Sequence, residues 1–270
     1  RVGYALDYVG RAGDGDRAPW EGIDDPSGRC RAWAQDRRVL VLSVAILPTE
    51  RQTLVEGANG AYDAHWHRFA STLVEEGCGD AVLRLGWEFN GRFSPWAADG
   101  QEAAFVAYWR RIVERIRAVD GQAFRFDWSV LGGNTNADVE AAYPGDDVVD
   151  IIGLDAYDTS ESTEPEARWS DQLDRPYGLR WHAKFASDHG KVMSFPEWGV
   201  TVRPDDDLGG GDAPAYIASM IDWITSHDVV YAIYFDFDAN DAAHRLSDGQ
   251  FPRAAAILRE RAAELAGAPV

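Results

Sequence analysis

The sequence predicts an α/β chain of the (β/α)8 TIM barrel class, with the first strand missing or irregular. Three observations lead there. The runs VLVLSVAIL (39–47), VVDIIGL (148–154) and VVYAIYF (229–235) are apolar almost throughout. Strands buried on both faces read this way, as in a parallel sheet covered by helices. Amphipathic stretches separate the runs, so strand and helix alternate along the chain. The spacing of roughly 30 to 40 residues per unit fits repeated βα units. An open doubly wound sheet fits less well, because no glycine-rich phosphate fingerprint follows the first strand.

Taken in order, the predicted strands are 2–8, 39–47, 81–87, 124–130, 148–154, 191–195 and 229–235. The predicted helices include 62–76, 102–119, 177–189, 213–227 and 253–266. Clusters of Gly, Pro and Asp at 10–16, 132–136 and 204–212 punctuate these elements. Seven strands are legible where a barrel needs eight. The eighth either precedes residue 1 or lies irregularly within 11–37. No linker, repeat or low-complexity stretch divides the chain, so a single domain over 1–270 is expected.

Composition narrows the function. The chain has 270 residues, with 26 basic against 45 acidic and a formal net charge of −19. Such a chain repels nucleic acid backbones and anionic membrane surfaces, so neither is an expected partner. Hydrophobic residues at 46% exclude intrinsic disorder, and no apolar run approaches the ~18 residues a membrane span needs. Cys30 and Cys78 permit one disulfide, though two buried thiols would look the same in a sequence. A secreted, extracellular, monomeric protein without cofactor is the expectation.

In a barrel, chemistry sits at the C-terminal ends of the strands. After AVLRLGW (81–87) comes Glu88, and after KVMSFP (191–196) comes Glu197, 109 residues on. That distance is about three βα units, which sets the two carboxylates across the barrel mouth from each other. A pair of carboxyl groups among aromatics is what glycoside hydrolysis uses, one as acid and one as nucleophile. Trp87 and Phe89 flank Glu88, an apolar setting that favours the protonated acid. Arg84 shares strand parity with Glu88 and is placed to hold Glu197 ionised.

The string RLGWEFNGRFSPW (84–96) resembles the acid/base motif of glycoside hydrolase family 26. YPGDDVVDIIGLDAYD (143–158) is similar to that family's sixth-strand segment, and SFPEWG (194–199) to its nucleophile motif. The resemblance implies a retaining, β-mannanase-like barrel glycosidase with Glu88 as acid/base and Glu197 as nucleophile. It also implies that Tyr157 hydrogen-bonds the nucleophile. Two departures touch the reacting sugar's subsite. Trp87 stands where the family usually has His, and the last strand reads YFDFDAND (234–241) where the family usually supplies a Trp. The resemblance still names β-1,4-mannan, the family's commonest substrate, although mannan specificity does not follow through these changes. Another β-glycan (β-glucan, β-xylan or a bacterial exopolysaccharide) is the alternative, and a non-catalytic sugar-binding barrel a further one.

Position assigns the remaining candidates. Asn90 bonds a sugar hydroxyl or shapes the turn before Gly91. Trp96, Trp128 and Trp198 are candidate stacking platforms, and Phe93 and Asp155 are weaker candidates for the site. Asp236 and Asp238 contact substrate or cap a helix. No metal site is expected. His65 and His67 sit two apart on a predicted helix and do not share a face. The run 204–212 lacks EF-hand spacing and reads as a mobile loop.

Overall fold

The computed structural model describes residues 3–10, 20–34, 38–133, 135–206 and 208–267. The strands are β1 (Tyr4–Val9), β2 (Val39–Val44), β3 (Val82–Leu85), β4 (Arg125–Leu131), β5 (Ile151–Tyr157), β6 (Val192–Gly199) and β7 (Val229–Tyr234). Between β1 and β2 lie α1 (Glu21–Asp24) and α2 (Ser27–Ala34), and between β2 and β3 lie α3 (Leu54–Ala58) and α4 (Asp63–Glu75). Next come α5 (Glu102–Arg117), α6 (Pro165–Asp174), α7 (Leu179–Asp188), α8 (Pro214–Ser226) and α9 (Pro252–Gly267). Strand order in the sheet follows chain order from β1 to β7, the (β/α)8 barrel class of fold. Each predicted strand is present. The irregular strand sought in 11–37 is not found at 20–34, where α1 and α2 stand. The rest of that stretch, 11–19 and 35–37, lies outside the described residues.

The chain packs as two compact units, Arg1–Leu131 with Thr135–Gly153, and Gly132–Asn134 with Leu154–Val270. In the first unit β1 to β4 pair in parallel, and their register aligns Tyr8, Ser43, Arg84 and Asp127 in one row. Helix α4 buries Trp66, Phe69, Ala70 and Leu73, spaced i, i+3, i+4, i+7, the stripe an amphipathic helix turns to a core. Helix α5 does the same with Phe105, Tyr108, Trp109, Ile112, Val113 and Ile116.

Buried aromatic donors tie these helices to the strand ends. Trp66 Nε1 donates to the Tyr108 hydroxyl (3.0 Å), which donates to the carbonyl of Ile46 (2.9 Å). Trp109 Nε1 donates to the carbonyl of Leu85 (3.2 Å). His65 bonds Asp24 at 2.7 Å and stacks on Trp20 at 4.2 Å, so it serves the packing of α4 on α1. Cys30 and Cys78 form a disulfide, which settles the choice the sequence left open.

In the second unit β6 and β7 pair in parallel with two register shifts. A buried ion pair stands behind β5. Arg168 bonds the Asp158 carboxylate at 2.9 Å and also donates to the carbonyls of Ser160, Ser162 and Leu208. Asp158 is 3% exposed, so this pair is out of solvent. The run 204–212 is anchored at two points within its described part. Gly209 bridges to Thr159, and the Asp212 carboxylate accepts the N–H groups of Arg253 and Ala254 at the start of α9. Such anchoring satisfies donors that a helix start otherwise leaves open. The glycines there are needed, because a Cβ on Gly210 would meet Asp158 Oδ2 at 1.8 Å.

Candidate active site

In the first unit, Glu88 sits in a turn straight after β3, with a backbone φ of +53°. Non-glycine residues adopt this left-handed conformation rarely and at a cost. Hydrogen bonds on either side impose it. Gly86 N–H donates to the carbonyl of Val44 (2.9 Å) and Glu88 N–H to that of Ser129 (3.1 Å). Gly91 N–H closes the turn on the carbonyl of Glu88 at 2.9 Å. Gly86, at φ +57°, has no room for a side chain, since a Cβ would meet Ile46 Cδ1 at 2.9 Å.

Asn90 is fully buried, and its amide clamps the backbone of Leu131 from both sides. Nδ2 donates to the Leu131 carbonyl and Oδ1 accepts the Leu131 N–H, each at 2.9 Å. Of the two roles expected, these bonds fit the turn rather than a sugar contact: Asn90 holds the Glu88 turn against the end of β4. Trp96 is likewise a support rather than a platform. It is 5% exposed, donates from Nε1 to the Trp87 carbonyl (2.8 Å) and packs on the Trp87 ring at 4.7 Å. Trp128 is fully buried with its ring at 5.1 Å from both Phe89 and Tyr143, which makes it core. Trp87 is 3% exposed and meets Tyr8 edge-on at 5.5 Å. Phe93, by contrast, is 64% exposed.

Arg84 is fully buried on β3. Its Nε donates to Ser129 Oγ (2.9 Å) and its Nη1 to Ser43 Oγ (3.0 Å), while Ser129 Oγ donates to Asp127 Oδ1 (2.8 Å). Sequence reasoning had no handle on Ser43, Asp127 or Ser129, since polar residues within apolar strands carry no motif. Their register across β2, β3 and β4 is what reveals the network.

In the second unit, Tyr157 ends β5 and Glu197 lies within β6, so both are strand residues rather than members of the following loops. The Tyr157 hydroxyl donates to Glu197 Oε2 at 2.7 Å, and Glu197 is 6% exposed. Two residues before Glu197, the Phe195 ring meets His182 of α7 at 5.2 Å. Regular alternation would turn Glu197 toward the same helix. The register shift between Phe195 and Trp198 breaks the alternation at Pro196, a residue that cannot donate to a ladder and is tolerated at bulges.

Asp155, fully buried on β5, brings a carboxylate oxygen within 4.8 Å of Glu197. Trp198 is 4% exposed and packs edge-on against Tyr234 at 5.3 Å, so it too is a buried support rather than a stacking face. Asp236 and Asp238 shape the segment after β7. Asp236 accepts the N–H groups of Leu246 and Ser247, and Asp238 those of His244 and Arg245. His244 was not anticipated. A lone histidine between two alanines and an arginine carries no sequence signal, yet its ring lies 4.6 Å from that of Tyr157.

Residues 69–194 match the model of Glycosyl hydrolase family 26. Over this segment the chain is similar to that family. The match contains Glu88 and Tyr157 and ends at Ser194, before Glu197. The chain is 29% identical over 136 residues to the mannan endo-1,4-beta-mannosidase of Bifidobacterium adolescentis, an alignment that covers 48% of this chain but 13% of that protein.

Among solved structures it is similar to a modular endo-β-1,4-mannanase of Cellulomonas fimi. The TM-score is 0.63 at 24% identity, over 94% of this chain and 59% of that one. It is also similar to the catalytic domain of the Bacillus sp. JAMB-750 endo-β-1,4-mannanase. There the TM-score is 0.65 at 18% identity, over 92% of this chain and 72% of that one. These structural likenesses establish the barrel fold of this chain.

Proposed function

We propose that the chain is a retaining endo-glycoside hydrolase acting on β-linked polysaccharide, with β-1,4-mannan as its substrate. One observation carries the reading: a buried carboxylate, Glu197, sits near the C-terminal end of β6 and accepts the Tyr157 phenol at 2.7 Å. The phenol holds one oxygen of the nucleophile and sets the direction of the other. The family match and the mannanase relatives support the reaction class and the named polymer.

The chemistry runs in two displacements. Glu88 gives its proton to the glycosidic oxygen as a Glu197 oxygen attacks the anomeric carbon. The C–O bond breaks, the leaving chain departs as an alcohol, and a glycosyl ester remains on Glu197. Glu88, now ionised, takes a proton from a water that attacks the same carbon and releases Glu197. Two inversions return the original configuration. Arg84, at the centre of its hydroxyl network, is the cation assigned to the ionised nucleophile. Protons come and go only through side chains and water, so the reaction needs no cofactor. The reading requires the two carboxyl groups to stand about 5 to 5.5 Å apart.

The proposed setting is extracellular, and the Cys30–Cys78 disulfide supports it, since such bonds persist in oxidising compartments. A net charge of −19 favours a neutral polymer over nucleic acid or anionic lipid and suits a free monomer. Among the described residues no helix is long and apolar enough to cross a membrane.

The test is release of reducing ends from mannans, glucans, xylans and bacterial exopolysaccharides, with Glu88→Ala and Glu197→Ala beside the wild type. Mannan cleavage is expected, with kcat lower by roughly 10²–10⁴-fold in Glu88→Ala and abolished in Glu197→Ala. Proton NMR of the first product should show the β anomer, and an initial α anomer would overturn the retaining assignment. Trp87 is the observation favouring a second reading, a different β-glycan. An indole in place of the imidazole offers one donor and no acceptor at this position. Cleavage of another polymer in the panel selects that reading, and binding without cleavage selects a lectin-like barrel.

A further inference from the structure

We infer that His244 is a positioning residue for the nucleophile, its ring locked so that it keeps the Tyr157 hydroxyl aimed at Glu197. The inference rests on the reading of Glu197 as nucleophile. His244 lies after β7 and is 5% exposed. Its Nδ1 is 2.9 Å from the carbonyl oxygen of Val200, the residue that follows β6. A carbonyl only accepts, so Nδ1 carries the hydrogen and, in the neutral ring, Nε2 is the acceptor. Burial pushes the imidazolium down from its ordinary range, against the pull of Asp241, Glu197 and Asp238. The tautomer is thus set by the fold.

The backbone of His244 is held as firmly as its ring. Its N–H donates to Asp238 Oδ1 (3.0 Å), and its carbonyl accepts the Tyr234 hydroxyl (2.9 Å). A side chain fixed at both ends then faces Tyr157, ring to ring at 4.6 Å and tilted 38°. Phe235 closes the same corner, 5.9 Å from Tyr157 and 5.5 Å from His244. His244 therefore connects three strand ends: Val200 after β6, Tyr234 on β7, and Tyr157 on β5. Tyr157 turns about two side-chain bonds, and the His244 ring is a wall against the swing of its hydroxyl away from Glu197. A misplacement near 1 Å costs up to about 10²-fold in rate.

The experiment is a double-mutant cycle on the polysaccharide that the wild type cleaves best. His244→Ala should lower kcat about tenfold with little change in KM. Tyr157→Phe should lower it at least as much, and the double variant should match Tyr157→Phe alone. Losses that simply multiply overturn the inference, because His244 then acts independently of Tyr157. If His244→Ala does not fold, His244→Phe carries the cycle, keeping a ring while losing the bond to Val200.

Nitrogen-15 NMR of the imidazole provides a readout independent of activity. It should show Nδ1 protonated and Nε2 bare, and the opposite tautomer also overturns the inference. A wild type that cleaves no polymer sinks the hydrolase reading and this inference with it. An active wild type with independent losses sinks the inference alone.

Discussion

Glu88 is one of two non-glycine residues with positive φ among those described, the other being Tyr177. A glycine at position 88 would accept φ +53° without penalty, whereas glutamate stores strain of order 1–3 kcal/mol there. Glu88→Gly should therefore leave thermal stability equal to or above that of wild type while lowering kcat as far as Glu88→Ala does. Glu88→Ala should be the less stable of the two, and urea denaturation of both variants checks the order. A Glu88→Gly protein clearly less stable than the wild type would mean that the glutamate side chain stabilises the turn. The candidate glutamates were legible because a charge directly after an apolar run stands out. Roles that depend on surroundings were not. Asn90 read as a sugar ligand or a turn residue until its amide was found on Leu131, and Trp128 as a platform until Phe89 and Tyr143 covered it.

Strands were read correctly in place and less well in extent. The predicted strand 191–195 stops before Pro196, because proline ordinarily ends a ladder. In the structure β6 runs on to Gly199 across a register shift, which makes Glu197 a strand residue. Helix α6 escaped prediction, and its most consequential residue is Arg168. Its side chain is 11% exposed, bonded to Asp158 and to several carbonyls of the neighbouring loops. Burial raises the Asp158 carboxyl even against this cation, so the pair depends on its full set of bonds. Arg168→Ala leaves a buried carboxylate without its cation and should cost about 3–5 kcal/mol of stability. Chemical denaturation checks it, and a loss below 1 kcal/mol would mean that solvent reaches the pair.

Across the molecule, buried phenols set an upper pH limit. Burial pushes Tyr108 and Tyr216 well above the ordinary value of 10.0, and Tyr143 and Tyr234 also rise, chiefly through burial. The unfolded chain ionises these groups near pH 10 while the folded chain keeps them protonated. Stability is then complete below that pH and is lost as pH rises above it. Melting temperature should fall steeply above pH 10, with phenolate absorbance appearing only as the circular dichroism collapses. Phenolate formation in a chain that stays folded would show that water reaches these rings.

The sequence by itself determined the fold class, the order of the strands and the two glutamates at their ends. Those follow from the alternation of apolar and amphipathic runs and from local position, which need only neighbours in the chain. Tertiary structure decided which aromatics are core and that Asn90 serves a turn. It also decided that Ser43, Arg84 and Ser129 meet in one network, and that His244 stands beside Tyr157. Each of these depends on strand register or on contacts between residues 41 to 87 positions apart, which no local pattern encodes.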